Sequence, residues 1–208
     1  MMAMSSSPVS IVIAGVGGQG TVLMANVIAK AAINAGYDVK GMNTYGAAQR
    51  GGPVSSQIRI GNNVLSPRIG LREADVIVAL EPAEALRASN TLRIGGRVLV
   101  NTEKVYPVEV LSGRAEYPSL AVVLNPLKKI SGTFVKFNAT KIAESAGSPI
   151  TLNMVMLGSL AAFDVLQFSN DYLTSILEEE LPKSVIDVNL KAFRLGYNFV
   201  SKKKVKCH

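Results

Sequence analysis

The residues that could do chemistry begin with Gly15-Val16-Gly17-Gly18-Gln19-Gly20. Glycines 15, 17 and 20 fit the pattern G-x-G-x-x-G. Such glycines permit a tight turn and let backbone N–H groups approach a phosphate at the positive end of a following helix. Gly18 and Gln19 lie inside the same turn, where Gln19 could reach a ligand or a neighbouring subunit. A second glycine element, Gln49-Arg50-Gly51-Gly52-Pro53, follows one structural unit later. A guanidinium at Arg50 could pair bidentately with phosphate or carboxylate, or close a salt bridge within the loop or to another subunit. Gly51 and Gly52 permit an unusual backbone path, with N–H groups that could line an anion site. The glycines at 15–20 would also serve close packing of strand on helix, so that pattern alone does not choose a ligand.

The surrounding pattern is that of a strand, a glycine turn and a helix. Val9 to Ala14 is short and rich in β-branched residues, as expected of a buried parallel strand. The helix expected from about Gly18 to Ala35 stops at Gly36. Tyr37 to Met42 is expected as the second strand. Val54 to Ile60 alternates with period two, so it reads as a strand with one polar face. Gly61-Asn62-Asn63 then suggests a hairpin into Val64-Leu65. Further strands are expected at Asp75–Leu80, Arg97–Val100 and Thr133–Phe137. Pro107, Pro118 and Pro126 argue against long regular elements between residues 103 and 132. Asn138 is placed to cap a short helix ending near Gly147, and the remainder reads as helical. In the last helix, Ile186, Leu190, Phe193 and Tyr197 share one face. The expected fold is α/β: a mostly parallel Rossmann-like sheet with flanking helices, a β-hairpin insertion and a C-terminal helical segment. Residues 9–200 are expected to form one domain with its helical part from about 149, between a disordered segment 1–8 and a basic tail 201–208.

A dinucleotide site also expects an acid at the C-terminal end of the second strand to hold ribose hydroxyls. That strand ends in Asn43-Thr44-Tyr45, and Asp38 lies at its start, so NAD loses support. NADP or an adenine nucleotide stays open, because Arg50 could serve a phosphate. Other residues have structural duties in view. Arg59 is expected to make a structural pair, Glu81 to meet a helix dipole, Asn153 to cap or bridge helices, and Met154 and Met156 to fill the core.

Composition narrows the classes further. The formal charge is +7, but Lys202, Lys203, Lys204 and Lys206 supply much of it. Without them 18 basic side chains face 15 acidic ones, and aromatic residues do not interleave with the charge, so no nucleic-acid partner is expected. The single cysteine, Cys207, cannot alone hold an iron–sulfur cluster or a structural zinc. The single histidine, His208, is the last residue, which excludes Ser-His-Asp and Cys-His catalysis from the body of the chain. Met1 to Ser10 lacks the pattern of a signal peptide. Ile150–Phe168 contains Asn153, Ser159 and Asp164, and its apolar runs fall short of the ~20 residues that span a bilayer. A cytoplasmic protein with no membrane partner is expected.

With these motifs in view, the chain resembles the gamma-type subunit of 2-oxoacid:ferredoxin oxidoreductases, most closely the beta subunit of the indolepyruvate type. The likeness runs from about Val9 to Val200 and rests on several motifs in one order. They are the turn at 15–20, Ala48-Gln49-Arg50-Gly51-Gly52-Pro53-Val54, Ser66-Pro67, Ala74-Asp75 and Glu81-Pro82. Gly95-Gly96, Asn153 to Gly158 and Ala192 to Tyr197 complete the set. Tyr45-Gly46-Ala47-Ala48 departs from the His-Gly-Met-Ala-like run of the indolepyruvate type, and Pro126 interrupts a stretch that is often helical. The resemblance implies a complex in which thiamine diphosphate, Mg and [4Fe-4S] clusters sit on larger partner subunits. Electrons would leave to ferredoxin and the acyl group would pass to coenzyme A. It also implies that this chain binds no cofactor tightly, is inactive alone, docks on the larger subunits and helps shape or cover the coenzyme A site. The candidate cofactor-binding residues are Gly15, Gly17, Gly18, Gln19, Gly20, Arg50, Gly51 and Gly52, of which Gln19 and Arg50 could touch coenzyme A or only a partner subunit. An exposed docking surface would let the isolated chain self-associate. The other reading, from the glycine turn alone, is a stand-alone Rossmann-like nucleotide-binding protein.

Overall fold

Eight consecutive residues of apolar or small character, Val9–Val16, lie at the centre of the sheet as strand β1 and are buried from Ser10 onward. The computed structural model describes residues 7–46 and 51–205. Its strands are β1, β2 (Asp38–Tyr45), β3 (Pro53–Gly61), β4 (Ala74–Ala79), β5 (Leu92–Asn101) and β6 (Thr133–Phe137). They form one sheet in the order β2-β3-β1-β4-β5-β6. Strands β1, β4, β5 and β6 are parallel. Strand β3 is antiparallel to both its neighbours, so β2 points the same way as β1 but lies two positions away.

The helices are α1 (Thr21–Asn34), α2 (Pro82–Ala88), α3 (Val108–Leu111), α4 (Leu120–Ile130), α5 (Ala139–Ala146), α6 (Leu152–Ala161), α7 (Asn170–Glu180) and α8 (Lys183–Val205). They cover the two faces unequally. Helices α1, α5, α6, α7 and α8 share one core with Ile11 and Ile13 of β1, Ile58 and Ile60 of β3, and Val76 and Val78 of β4. Helices α2 and α4 share a smaller core with Val12, Ile77, Val98 and Val100. Every residue of α6 is buried, so this helix has no polar face. It lies against α8 where Gly158 meets Phe193 and Gly196 meets Val155.

Two expectations are corrected here. The hairpin does not run from β3 into Val64-Leu65, which belong to no strand. It joins β2 to β3, and β3 is thereby inserted between β2 and β1. The stretch 103–132 also holds a helix of eleven residues, α4, with Pro126 inside it. An interior proline costs a helix about 3 kcal/mol. Val123, Leu124 and Leu127 are buried on the sheet, and each fully buried side chain of this size contributes about 1.5–3 kcal/mol, so burial wins. The Ser119 hydroxyl accepts the Val122 N–H at the start of α4, and Lys128 and Lys129 meet its negative end. Three further local expectations hold, whereas α8 continues to Val205 and so takes in part of the segment 201–208 expected as a tail. Asn138 caps α5 by accepting the Lys141 N–H at 2.9 Å, Gly147 follows its end, and the shared face of α8 packs inward.

Candidate functional site

The carboxyl ends of β1, β4, β5 and β6 all open on the same end of the sheet, where open α/β folds place ligands. The chain leaves β1 for α1 on one face and leaves β4 for α2 on the other, so the crevice between these two strands is the topological switch point. The glycine turn 15–20 forms one lip and Leu80-Glu81 the other.

Gln19 spans that crevice. Its Oε1 accepts the Val16 N–H at 2.9 Å, and its Nε2 donates to the Leu80 carbonyl at 3.2 Å. Both ends of the amide are therefore engaged within the chain, and the side chain bridges the two lips of the crevice. Gly15 makes this possible, since a Cβ there would sit 2.8 Å from Gln19 Oε1 and 3.3 Å from Leu80 Cβ. Gly18 and Gly20 have φ of 99° and 78°, in the range that glycine adopts without strain. Helix α1 starts at Gly20 without a side-chain cap. Among the described residues the N–H groups of Gly18, Gly20, Thr21 and Val22 find no acceptor. Gly18 is exposed and its neighbours partly so, which leaves a positive helix end facing outward.

The second glycine element is bonded directly to the first. Gly17 N–H donates to the Gly52 carbonyl at 2.8 Å, and Gly51 N–H approaches the Gly17 carbonyl at 3.5 Å. Gly51 has φ 72° and open space around its Cα. The two motifs noticed separately in the sequence thus make one surface. Arg50, with Gln49, lies outside the described residues. Beside this loop, on the α2 face, a cleft of about 330 Å³ runs between Thr44, Tyr45 and Pro53 on one side and Glu84, Arg87 and Thr91 on the other.

Asn153 is the third member of the turn. It is buried, its Oδ1 accepts the Met154 N–H at 3.0 Å, and its Nδ2 points at the Gly20 carbonyl 3.5 Å away. It thus ties the start of α6 to the start of α1, and a Cβ on Gly20 would meet its Nδ2 at 2.3 Å. Met154 and Met156 are fully buried core residues.

One residue at this end was missed by sequence reasoning. Asn101, fully buried at the end of β5, donates to the Leu80 carbonyl at 3.1 Å and to Thr140 at 3.2 Å. Its Oδ1 accepts the N–H of Ala139 at 2.9 Å and of Glu103 at 3.3 Å. The available signal was a lone amide closing the apolar run Val98–Val100.

The acids nearby are structural. Glu81 is buried, caps α2 by accepting the Glu84 N–H at 3.0 Å, and accepts the Tyr117 hydroxyl proton. Tyr117 in turn accepts the Ala83 N–H at 3.2 Å. Burial and the Glu81 carboxylate raise the Tyr117 hydroxyl above its ordinary range. Glu84 pairs with Arg87, yet burial raises its carboxyl above the ordinary value more than that guanidinium lowers it. Arg59 donates to the Arg68 carbonyl at 3.4 Å.

The end of β2 carries Asn43, Thr44 and Tyr45, and β3 stands between it and the glycine turn. Neighbouring strands lie about 4.8 Å apart, so the position that holds a ribose in a dinucleotide fold is displaced by a full strand. Among the described residues no group of three or more His, Cys, Asp or Glu could hold a metal ion. No helix there is long and apolar enough to cross a membrane.

The family model described as pyruvate ferredoxin/flavodoxin oxidoreductase matches residues 10–199. Among similar proteins, the indolepyruvate oxidoreductase subunit IorB of Archaeoglobus fulgidus is 41% identical over 91% of this chain and 94% of its own. The pyruvate/ketoisovalerate oxidoreductases common subunit gamma of Thermococcus kodakarensis is 36% identical over 88% of this chain and 92% of its own. Among solved structures, pyruvate oxidoreductase subunit PORC from Thermotoga maritima is similar with a TM-score of 0.66 and 26% identity, covering 93% of this chain and 97% of that one.

Proposed function

The chain belongs to the pyruvate ferredoxin/flavodoxin oxidoreductase family, and from that premise we propose that it is the cluster-free subunit of a 2-oxoacid:ferredoxin oxidoreductase acting on arylpyruvates such as indolepyruvate. The observation that carries this reading is the 41% identity to a subunit named for indolepyruvate, over nearly the full length of both chains. Thiamine diphosphate with Mg on larger partner subunits would supply decarboxylation chemistry, with [4Fe-4S] clusters there passing electrons to ferredoxin and coenzyme A taking the acyl group. The proposed complex would work in the cytoplasm.

This chain's own part is to dock and to shape the coenzyme A site. Gly18, Gly20 and the first turn of α1 present backbone N–H groups at a positive helix end, the kind of surface that accepts an anionic phosphate. Gly51 and Gly52 adjoin them through the bonds to Gly17, and Arg50, the residue just before Gly51 in sequence, would supply a cation for the same anion. Gly15 and Gln19 act one step further in. They hold the lip of the turn against Leu80 and keep the crevice itself closed to a nucleotide.

The test is anaerobic purification of the tagged full chain from cells that make its partners. The material is then assayed for coenzyme A-dependent viologen reduction with indolepyruvate, phenylpyruvate, pyruvate and 2-oxoglutarate. Larger subunits, a brown colour and preference for the arylpyruvates are expected. A chain that purifies alone and binds NADP or an adenine nucleotide tightly would replace this reading with the stand-alone nucleotide binder.

A further inference from the structure

The sheet ends at β6, five residues long, with no strand on its outer side among the described residues. About half of an edge strand's N–H and C=O groups point outward and invite another strand. Along this edge lies a cleft of about 1070 Å³. Its apolar floor comes from Leu124 of α4, Phe134 of β6, Phe163 just past α6 and Val200 of α8. Side chains alternate along the strand, so Phe134 packs with the α4 side and Val135 with the α8 side.

The rim is cationic. Arg97, Lys128 and Lys136 line the cleft and form no ion pair among the described residues, against the single lining carboxylate of Asp164. Alternation puts Lys136 on the Phe134 face, the side from which α4 presents Lys128. The pairing of Arg97 with Thr133 puts the guanidinium on the other face. An added strand would therefore meet positive charge on both sides and apolar surface beneath.

We propose that the β6 edge docks an extended acidic segment of a partner subunit, which adds a strand to the sheet and sets its carboxylates against Lys128 and Lys136. The main-chain bonds would give affinity, and the charges would give selectivity and speed. The chain's own ends have the wrong chemistry for the role. Residues 1–8 contain no charged side chain, and 201–206 carry four lysines that would add positive charge to a positive cleft. A second copy is also disfavoured, because antiparallel pairing of Thr133–Phe137 with itself sets Lys136 opposite Phe134 and brings one cationic rim against another.

The identity of the occupant as a subunit rests on the complex proposed above, so the test has two arms. In the first, amide hydrogen exchange is compared between the full chain alone and the chain in its purified complex. Protection of the amides from Phe134 to Phe137 in the complex is expected. The double variant Lys128→Glu, Lys136→Glu should weaken assembly by at least about tenfold while its melting temperature stays unchanged. In the second arm, the full chain alone is titrated with a capped peptide of alternating valine and glutamate, and with its valine–lysine counterpart. The acidic peptide should protect the same amides, and the double variant should reverse the preference. A complex whose β6 amides exchange as in the free chain overturns the proposal, as does protection that the charge reversal leaves intact. Concentration-dependent dimers of the chain that protect β6 without a partner also overturn it. If no complex is found yet the acidic peptide binds at β6, the complex reading fails and the acidic docking edge stands.

Discussion

At the candidate site, Gly18 and Gly51 have φ of 99° and 72° and, among the described residues, nothing within 4 Å of where a Cβ would point. At the α6–α8 crossing the situation is inverted. Gly158 and Gly196 sit in helices, yet a Cβ would lie 1.9 Å from the Phe193 carbonyl and 2.0 Å from the Val155 carbonyl. The first pair is glycine because the backbone turns the wrong way for other residues. The second is glycine because two helices touch backbone to backbone, with Ser159 also donating to the Gly196 carbonyl at 3.1 Å. Conformational need leaves the surface open for a ligand, whereas steric need closes a core. The two kinds should respond differently to the same methyl group.

The largest effect is expected at the crossing. Gly158→Ala should cost about 3 kcal/mol or more, because the obstacle is backbone and cannot rotate aside. Urea unfolding measures this, and a loss below about 1 kcal/mol would mean that the crossing relaxes easily. Gly20→Ala comes next, since it combines a φ of 78° with a clash against Asn153. A loss of about 2 kcal/mol is expected, falling by about 1 kcal/mol when measured in an Asn153→Ala background. Equal losses in both backgrounds would leave backbone strain as the whole cost.

Smaller effects sharpen the contrast. Gln19→Ala should cost about 1–2 kcal/mol, because it strips the Val16 N–H of its partner and reopens the crevice to Leu80. Gly18→Ala should cost only about 1 kcal/mol, with Gly18→Asn milder still, because strain is present and collision is not. If Gly18→Ala proved as damaging as Gly158→Ala, the distinction between the two kinds of glycine would fail. The smallest effect concerns pH. The folded chain holds the Glu84 carboxyl above its ordinary value of 4.5, so it binds a proton that the unfolded chain releases first. Stability from this group is present below that value and is lost as pH rises through the folded value. Glu84→Gln should remove that downward slope, and parallel melting curves of the two proteins across the acid range would disprove it.

Much of the functional end was legible because its signals are local. A β-branched run, four glycines and an alanine-rich helix lie within about thirty residues, and each acts through the backbone preferences of its own neighbours. The hairpin was misplaced for the same reason. Gly61-Asn62-Asn63 carries a local turn signal, but β3 pairs with the preceding strand and with β1, where Ile58 and Ile60 can be buried against α1. Pro126 was over-weighted because its cost is local while the burial that offsets it comes from the sheet. Asn101 gave almost no signal, since its partners are Leu80, Ala139 and Thr140.

The amino-acid order by itself determined the family, the glycine turn, the buried strands and the face of the last helix, because each is set by residue type within a few positions. Only the tertiary structure decided that Gly17 bonds Gly52 and that Gln19 closes the crevice against Leu80, sixty-one residues away. It also decided that Gly158 and Gly196 let two backbones touch and that Arg97, Lys128 and Lys136, which form no ion pair among the described residues, gather at the β6 edge. Those contacts exist because burying both faces of one sheet brings distant segments together, and no local propensity encodes which ones meet.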